Sequence, residues 1–113
     1  MKLIFSVTFK TFFITTLMLF SHSTYAVDAE SAKAFAKQNN CFRCHGLDRD
    51  KDGPAWNKIA QKFKADPEGK DKLLKHLSSG KMVKFPDGHE EAHIKLESNN
   101  EKTVNLVNWI LSI

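Results

Sequence analysis

The feature that most constrains this chain is the pentapeptide Cys41-Phe42-Arg43-Cys44-His45, which holds the only two cysteines of the 113 residues. Two thiols at C-x-x-C spacing can each form a thioether with one of the two vinyl groups on one edge of a haem. The residue after the second thiol then lies under the iron, so an imidazole at that place becomes an axial ligand. With both cysteines in the motif, none remains for a disulfide elsewhere. Two other readings of the same residues stay open on spacing alone. A zinc site needs four ligands, and His89 and His93, an i, i+4 pair, could complete Cys41 and Cys44. A dithiol redox pair would want a βαβ setting, and the surrounding sequence does not supply one.

The N-terminal sequence favours haem. Lys2 and Lys10 precede an apolar run, Phe12 to Phe20, which is followed by the polar, small-residue stretch Ser21 to Ala26. This is the layout of a secretory signal peptide with cleavage after Ala26. The apolar run is short for a membrane span. The expectation is export to the periplasm by the Sec route, with residues 1–26 removed, 27–113 forming one domain, and no span left in the mature chain. Covalent haem attachment is completed outside the cytoplasm, so an export signal and this motif agree.

Removal of residues 1–26 leaves 87 residues. It takes away two of the 17 basic residues and none of the 13 acidic ones, so the charge falls from +4 to +2. Two haem propionates would bring it near zero. The basic overall balance is therefore no argument for nucleic-acid binding, which wants a concentrated basic surface and a recognition motif. An 87-residue chain buries a thin core, and a large apolar cofactor would supplement it.

Periodicity predicts four helices. One runs from about Asp28 to Gln38, with Ala32, Phe35 and Ala36 on one face and Asn39 and Asn40 as stop signals. Ala55–Lys64 carries Trp56, Ile59, Ala60 and Phe63 at i, i+3, i+4 and i+7, behind Pro54. Asp71–Ser79 buries Leu73, Leu74 and Leu77 and stops at Gly80. Glu101–Ser112 is capped by Asn99 or Asn100, with Val104, Val107, Ile110 and Leu111 as the buried stripe beside Leu106 and Trp109. Residues 81–98 read as a long loop, and no segment alternates cleanly enough to predict a strand.

Taken together, these residues resemble the small bacterial class I cytochromes c over nearly the whole mature chain. An aromatic, Phe35, lies on the helix before C-x-x-C-H. A Gly53-Pro54 pair opens the segment GPAWNKIAQKF, a helix ends at Gly80, and Trp109 sits near the end of the last helix. The resemblance implies an all-α fold of about four helices around one covalent haem c and its iron. It implies that the Pro54 carbonyl accepts a hydrogen bond from the far ring nitrogen of His45, and that Trp56 lies near the haem edge or a propionate. Plain core packing is an equal reading of Trp56.

The sequence departs from that family at the sixth iron ligand. The family supplies a methionine, often followed by proline, from the loop before the last helix. Here the mature chain has one methionine, Met82, which falls early in the loop. His93 lies 16 residues before Trp109, where the family's methionine lies. The expectation is His45/His93 coordination, with Met82 and His89 as lesser candidates. His76 reads as a structural or surface residue.

A second imidazole stabilises ferrous iron less than a methionine sulfur does, so a low potential is expected. A filled sixth position favours a non-enzymatic, monomeric electron carrier between redox partner proteins. The rival is a gas-binding or sensor haem protein with a labile or open sixth ligand. A peroxidase would need a distal acid–base set that the sequence does not show.

Asp48-Arg49-Asp50-Lys51-Asp52-Gly53 matches half of a calcium loop, but Ile59 stands where the last ligand should be, so a solvated linker is expected. Residues 58–84 hold eight lysines and three acids, whereas 85–102 hold five acids and two lysines. That asymmetry could orient a weak redox partner.

Overall fold

The computed structural model describes residues 26–113; the expected leader lies outside them except for Ala26. Five helices and one small hairpin follow in order: α1 (Ala29–Gln38), α2 (Cys41–Cys44), α3 (Trp56–Phe63), α4 (Gly69–Ser79), β1 (Met82–Lys84), β2 (Glu90–Ala92) and α5 (Glu101–Ser112). No helix among the described residues is long and apolar enough to cross a membrane.

Local chemistry sets the helix ends. Asp28 caps α1 by accepting from the Ser31 amide at 3.0 Å and the Ser31 hydroxyl at 2.6 Å. Asn100 caps α5 by accepting from the Lys102 amide at 2.9 Å. Each cap satisfies an N–H that has no partner within its own helix. Asn40 takes a left-handed φ of 54° between α1 and α2, a conformation asparagine tolerates well. Gly80 ends α4 as expected, with φ 60°.

Helix α5 is the hub, packing against α1, α3 and α4. Ala32 and Ala36 are both fully buried, and their small side chains let the α1 backbone come close. The contact is locked by a reciprocal pair: Asp28 N–H donates to Asn105 Oδ1 at 3.1 Å, and Asn105 Nδ2 donates to the Asp28 carbonyl at 2.8 Å. The buried face of α5 is Thr103, Leu106, Val107, Trp109 and Ile110, while Val104 and Leu111 are half-buried. The face is thus rotated from the expected stripe, because α5 is contacted from three sides and buries a broad arc.

Three further details depart from expectation. Helix α4 begins at Gly69, not Asp71. A Cβ at Gly69 would sit 2.1 Å from the Phe63 carbonyl oxygen, so the residue serves close approach to α3. The motif itself forms the short helix α2. The expected loop 81–98 contains an antiparallel pair, with Met82 opposite Ala92, Val83 opposite Glu91 and Lys84 opposite Glu90. Its strands have three residues each and are largely exposed. They leave no hydrophobic alternation to read, and backbone pairing alone defines them. Isolated hairpins are marginal. This one is pinned at its base, where His93 N–H donates to the Lys81 carbonyl at 2.8 Å, and from the side by Arg43 Nη2 to Glu91 Oε2 at 2.7 Å.

Leu106 is wholly buried at the centre of the hub. Leu106→Ala is expected to cost about 2–5 kcal/mol of stability, measured by denaturant unfolding of the holoprotein. A loss within about 0.5 kcal/mol, the range of surface substitutions, would mean that α5 is not the hub.

Candidate haem site

The cysteines and the axial histidine are positioned by a tight loop. His45 closes α2 by donating its N–H to the Cys41 carbonyl at 3.0 Å. The chain then folds back: Gly53 N–H donates to the Cys44 carbonyl, and Trp56 N–H to the Gly46 carbonyl, each at 2.8 Å. Asp50 holds this loop by accepting from Ala55 N–H at 2.9 Å and pairing with Lys58. Asp48 accepts from Asn57 Nδ2. Two of the carboxylates that resembled calcium ligands are thereby used in closing the loop. No group of three or more His, Cys, Asp or Glu side chains is arranged to hold a metal ion among the described residues.

The folded-back loop aims His45. Its Nδ1–H donates to the Pro54 carbonyl at 2.6 Å, the contact the resemblance implied. That bond fixes the tautomer and leaves Nε2 with an open lone pair. A Cβ at Gly53 would lie 2.9 Å from His45 Cε1 and 3.2 Å from Nδ1, so only glycine leaves the ring room. Burial, together with neighbouring His93, disfavours the charged form of His45 despite the Pro54 bond. The imidazole is kept neutral, as a metal ligand must be. Burial also pushes the Cys41 thiol up.

His45 opens into a cavity of about 940 Å³, at the upper end of the roughly 300–1,000 Å³ that ligand pockets span. Both cysteines line it, as do Trp56, Leu73, Leu77, Leu106 and Ile110, so much of its wall is the apolar core. A second, shallower depression of about 650 Å³ around Ser78 and residues 95–99 contains no thiol or imidazole.

His93 is half-buried and faces the same cavity. Its Nδ1–H donates to the Ile94 carbonyl at 3.0 Å, again leaving Nε2 open. The ring centres of His45 and His93 are 6.2 Å apart. Two imidazoles sharing one metal at about 2.0–2.1 Å per nitrogen have ring centres roughly 6 Å apart. Trp56 is buried, and its Nε1–H is one of two buried polar side-chain atoms without a partner among the described residues. It lines the cavity and could donate to an acidic group there. Its ring also packs on His45, Phe42 and Trp109, with centres 4.8, 6.0 and 5.7 Å away. Trp56 is thus a core residue that also lines the cavity. A site lined by two thiols, two imidazoles at single-metal spacing, an orphaned N–H donor and apolar side chains fits haem.

The lesser ligand candidates are placed differently. Met82 is exposed, although it lines the cavity's rim. His89 does not line the cavity; its Nδ1 pairs with Asp87 and its Nε2 faces Glu91 at 3.3 Å. His76, read as a structural or surface residue, is exposed and also lines the cavity beside His93. Partial desolvation and the neighbouring His93, His45 and Lys81 lower its pKa. Helical phase could have found it, since it is next to Leu77 and three residues after buried Leu73.

A family model described as cytochrome c matches residues 29–113. Cytochrome c-551 of Allochromatium vinosum is 25% identical over 96 residues, covering 85% of this chain and all of that protein. The class 1 cytochrome MtoD of Sideroxydans lithotrophicus ES-1 is similar in structure, with a TM-score of 0.71 and 48% identity over 77% of this chain and 97% of that one. Wild-type cytochrome c552 of Nitrosomonas europaea shares the fold, with a TM-score of 0.55 and 24% identity over 71% and 96% of the two chains.

The contact between Asp87 and His89 raises the His89 pKa above 6.5 and lowers that of Asp87 below 3.8. The histidine's contribution to stability is complete below 6.5 and is lost as pH rises through its raised value. The carboxylate's is complete above 3.8 and is lost as pH falls through its lowered value. The pair therefore works at full strength between 3.8 and 6.5. NMR titration is expected to find His89 above 6.5 and Asp87→Asn to bring it down; no change in that variant would mean that the contact does not form in solution.

Proposed function

Since the chain belongs to the cytochrome c family, we propose that this monohaem class I protein carries single electrons between redox proteins of the periplasm, its iron ligated by His45 and His93. The observation that carries the reading is the facing pair of imidazoles, each held at Nδ1 by a backbone carbonyl and separated by 6.2 Å between centres.

The haem, when bound, supplies a one-electron iron couple. The chain supplies attachment through Cys41 and Cys44 and orientation through His45 on the Pro54 carbonyl. It also supplies a dry apolar wall in Leu73, Leu77, Leu106 and Ile110. Trp56 Nε1–H, buried without a partner among the described residues, would donate to a haem propionate. Two neutral nitrogen donors favour the ferrous state less than a histidine–methionine pair does, so the potential is low for the family. With His93 on the iron, no coordination position remains for a gas or peroxide, which supports a carrier over a sensor or enzyme.

Docking would use the basic rim. Lys62, Lys81 and Lys84 line the cavity opening, and each lacks an acidic partner among the described residues, whereas Lys58 pairs with Asp50 and Lys72 with Asp66 and Glu68. An acidic patch on the partner fits this surface. Transfer rates are then expected to fall as salt is raised from low ionic strength; salt-insensitive rates would count against it.

The ferric holoprotein from a periplasmic fraction is expected to be low-spin without a methionine-to-iron charge-transfer band. His93→Met should introduce that band and raise the potential, by on the order of 0.1 V within the roughly 0.8 V that axial ligands span. A charge-transfer band in the unmodified protein would sink the ligation reading.

A further inference from the structure

The cavity contains one imidazole more than a six-coordinate haem needs. His76 rises from α4, whose Leu73 and Leu77 are buried and anchor the helix. Its ring centre is 4.6 Å from that of His93, at 59° between planes. No hydrogen bond occupies its ring nitrogens among the described residues, unlike those of His45, His89 and His93. The supports of the two distal rings differ. His93 directly follows β2, all three residues of which are exposed and which pairs only with another three-residue strand. His76 stands on a helix of 11 residues packed on α5. The ring on the weaker support is thus in contact with an uncommitted ring on the stronger one.

We propose that His76 is a standby distal ligand: when the His93 bond to iron is lost, His76 takes the sixth position and keeps the distal side closed. The proposal rests on the His45/His93 reading above. It requires a displacement of a few ångströms, comparable to the 4.6 Å between the two ring centres and within reach of a side-chain rotamer change. Its consequence is that opening of the hairpin does not by itself expose the iron to small ligands.

The test compares the ferric spin state, by absorption and electron paramagnetic resonance at neutral pH, in the unmodified holoprotein and in His76→Ala, His93→Ala and the double variant. The unmodified protein, His76→Ala and His93→Ala are expected to be low-spin with two imidazole ligands. The double variant should be predominantly high-spin and return to low-spin on addition of free imidazole, which also shows that its pocket is intact. Ferrous His93→Ala should take up carbon monoxide at least tenfold more slowly than the double variant. If the double variant does not retain haem, His89→Ala/His93→Ala decides in its place, since a bis-imidazole spectrum there leaves His76 as the donor. A high-spin His93→Ala protein overturns the proposal and leaves the His93 reading standing. So does a low-spin double variant, where Lys81 or Met82 would be the replacement. A high-spin His76→Ala protein beside an unchanged His93→Ala protein overturns both, because His76 would then be the resident ligand.

Discussion

The hydrogen bond from His45 Nδ1 to the Pro54 carbonyl is the contact on which the site depends. It needs the loop after the motif to double back on itself, and the sequence provides for this at each step. Gly53 leaves room for the ring, its amide bonds the Cys44 carbonyl, and Pro54 presents a carbonyl at the turn where it has no N–H to satisfy. Asp50 holds the far side through Ala55 and Lys58. Helix α3 begins directly afterwards at Trp56, so the geometry that aims the imidazole also delivers the indole that packs on it at 4.8 Å. Attachment, ligand orientation and the first core aromatic are thus set within 16 consecutive residues, 41–56.

The other half of the site has to come from distant sequence. The α1–α5 contact brings the two ends of the described chain together, and α5 then receives α3 and α4. Leu73, Leu77, Leu106 and Ile110 belong both to the core and to the cavity wall. A cofactor seated there is therefore a continuation of the core, and in a chain of this size that burial is a substantial part of what can oppose conformational entropy. The hairpin that leads into His93 is made differently: it has little buried surface and is tied to the motif by Arg43 and Glu91 across 48 residues. Packing builds the wall formed by α4 and α5, whereas polar ties hold the hairpin.

Much of this could be read from residues. The pentapeptide, Gly53-Pro54, the left-handed position at Asn40, the stop at Gly80 and all four longer helices carry local chemical signals that need no tertiary context. What escaped reading lacks such signals. The strands of the hairpin are exposed and too short to show a period. The start of α4 at Gly69 depends on close approach to the Phe63 carbonyl, which exists only once α3 is in place. The rotated face of α5, centred on Thr103, Leu106 and Val107, reflects three packing partners, whereas a stripe computed for one partner places Val104 and Leu111 inward. His76 is exposed, as a helix-surface position should be, but the cavity it also lines exists only once α4 and the hairpin are set side by side.

The central claim is that the iron is held by His45 and His93, and a crystal structure of the ferric holoprotein tests it most directly. The account predicts Nε2 of both rings on the iron at about 2.0–2.1 Å, with their Nδ1 atoms still on the Pro54 and Ile94 carbonyls. A Met82 sulfur on the iron, or an iron with its sixth position open, would contradict it.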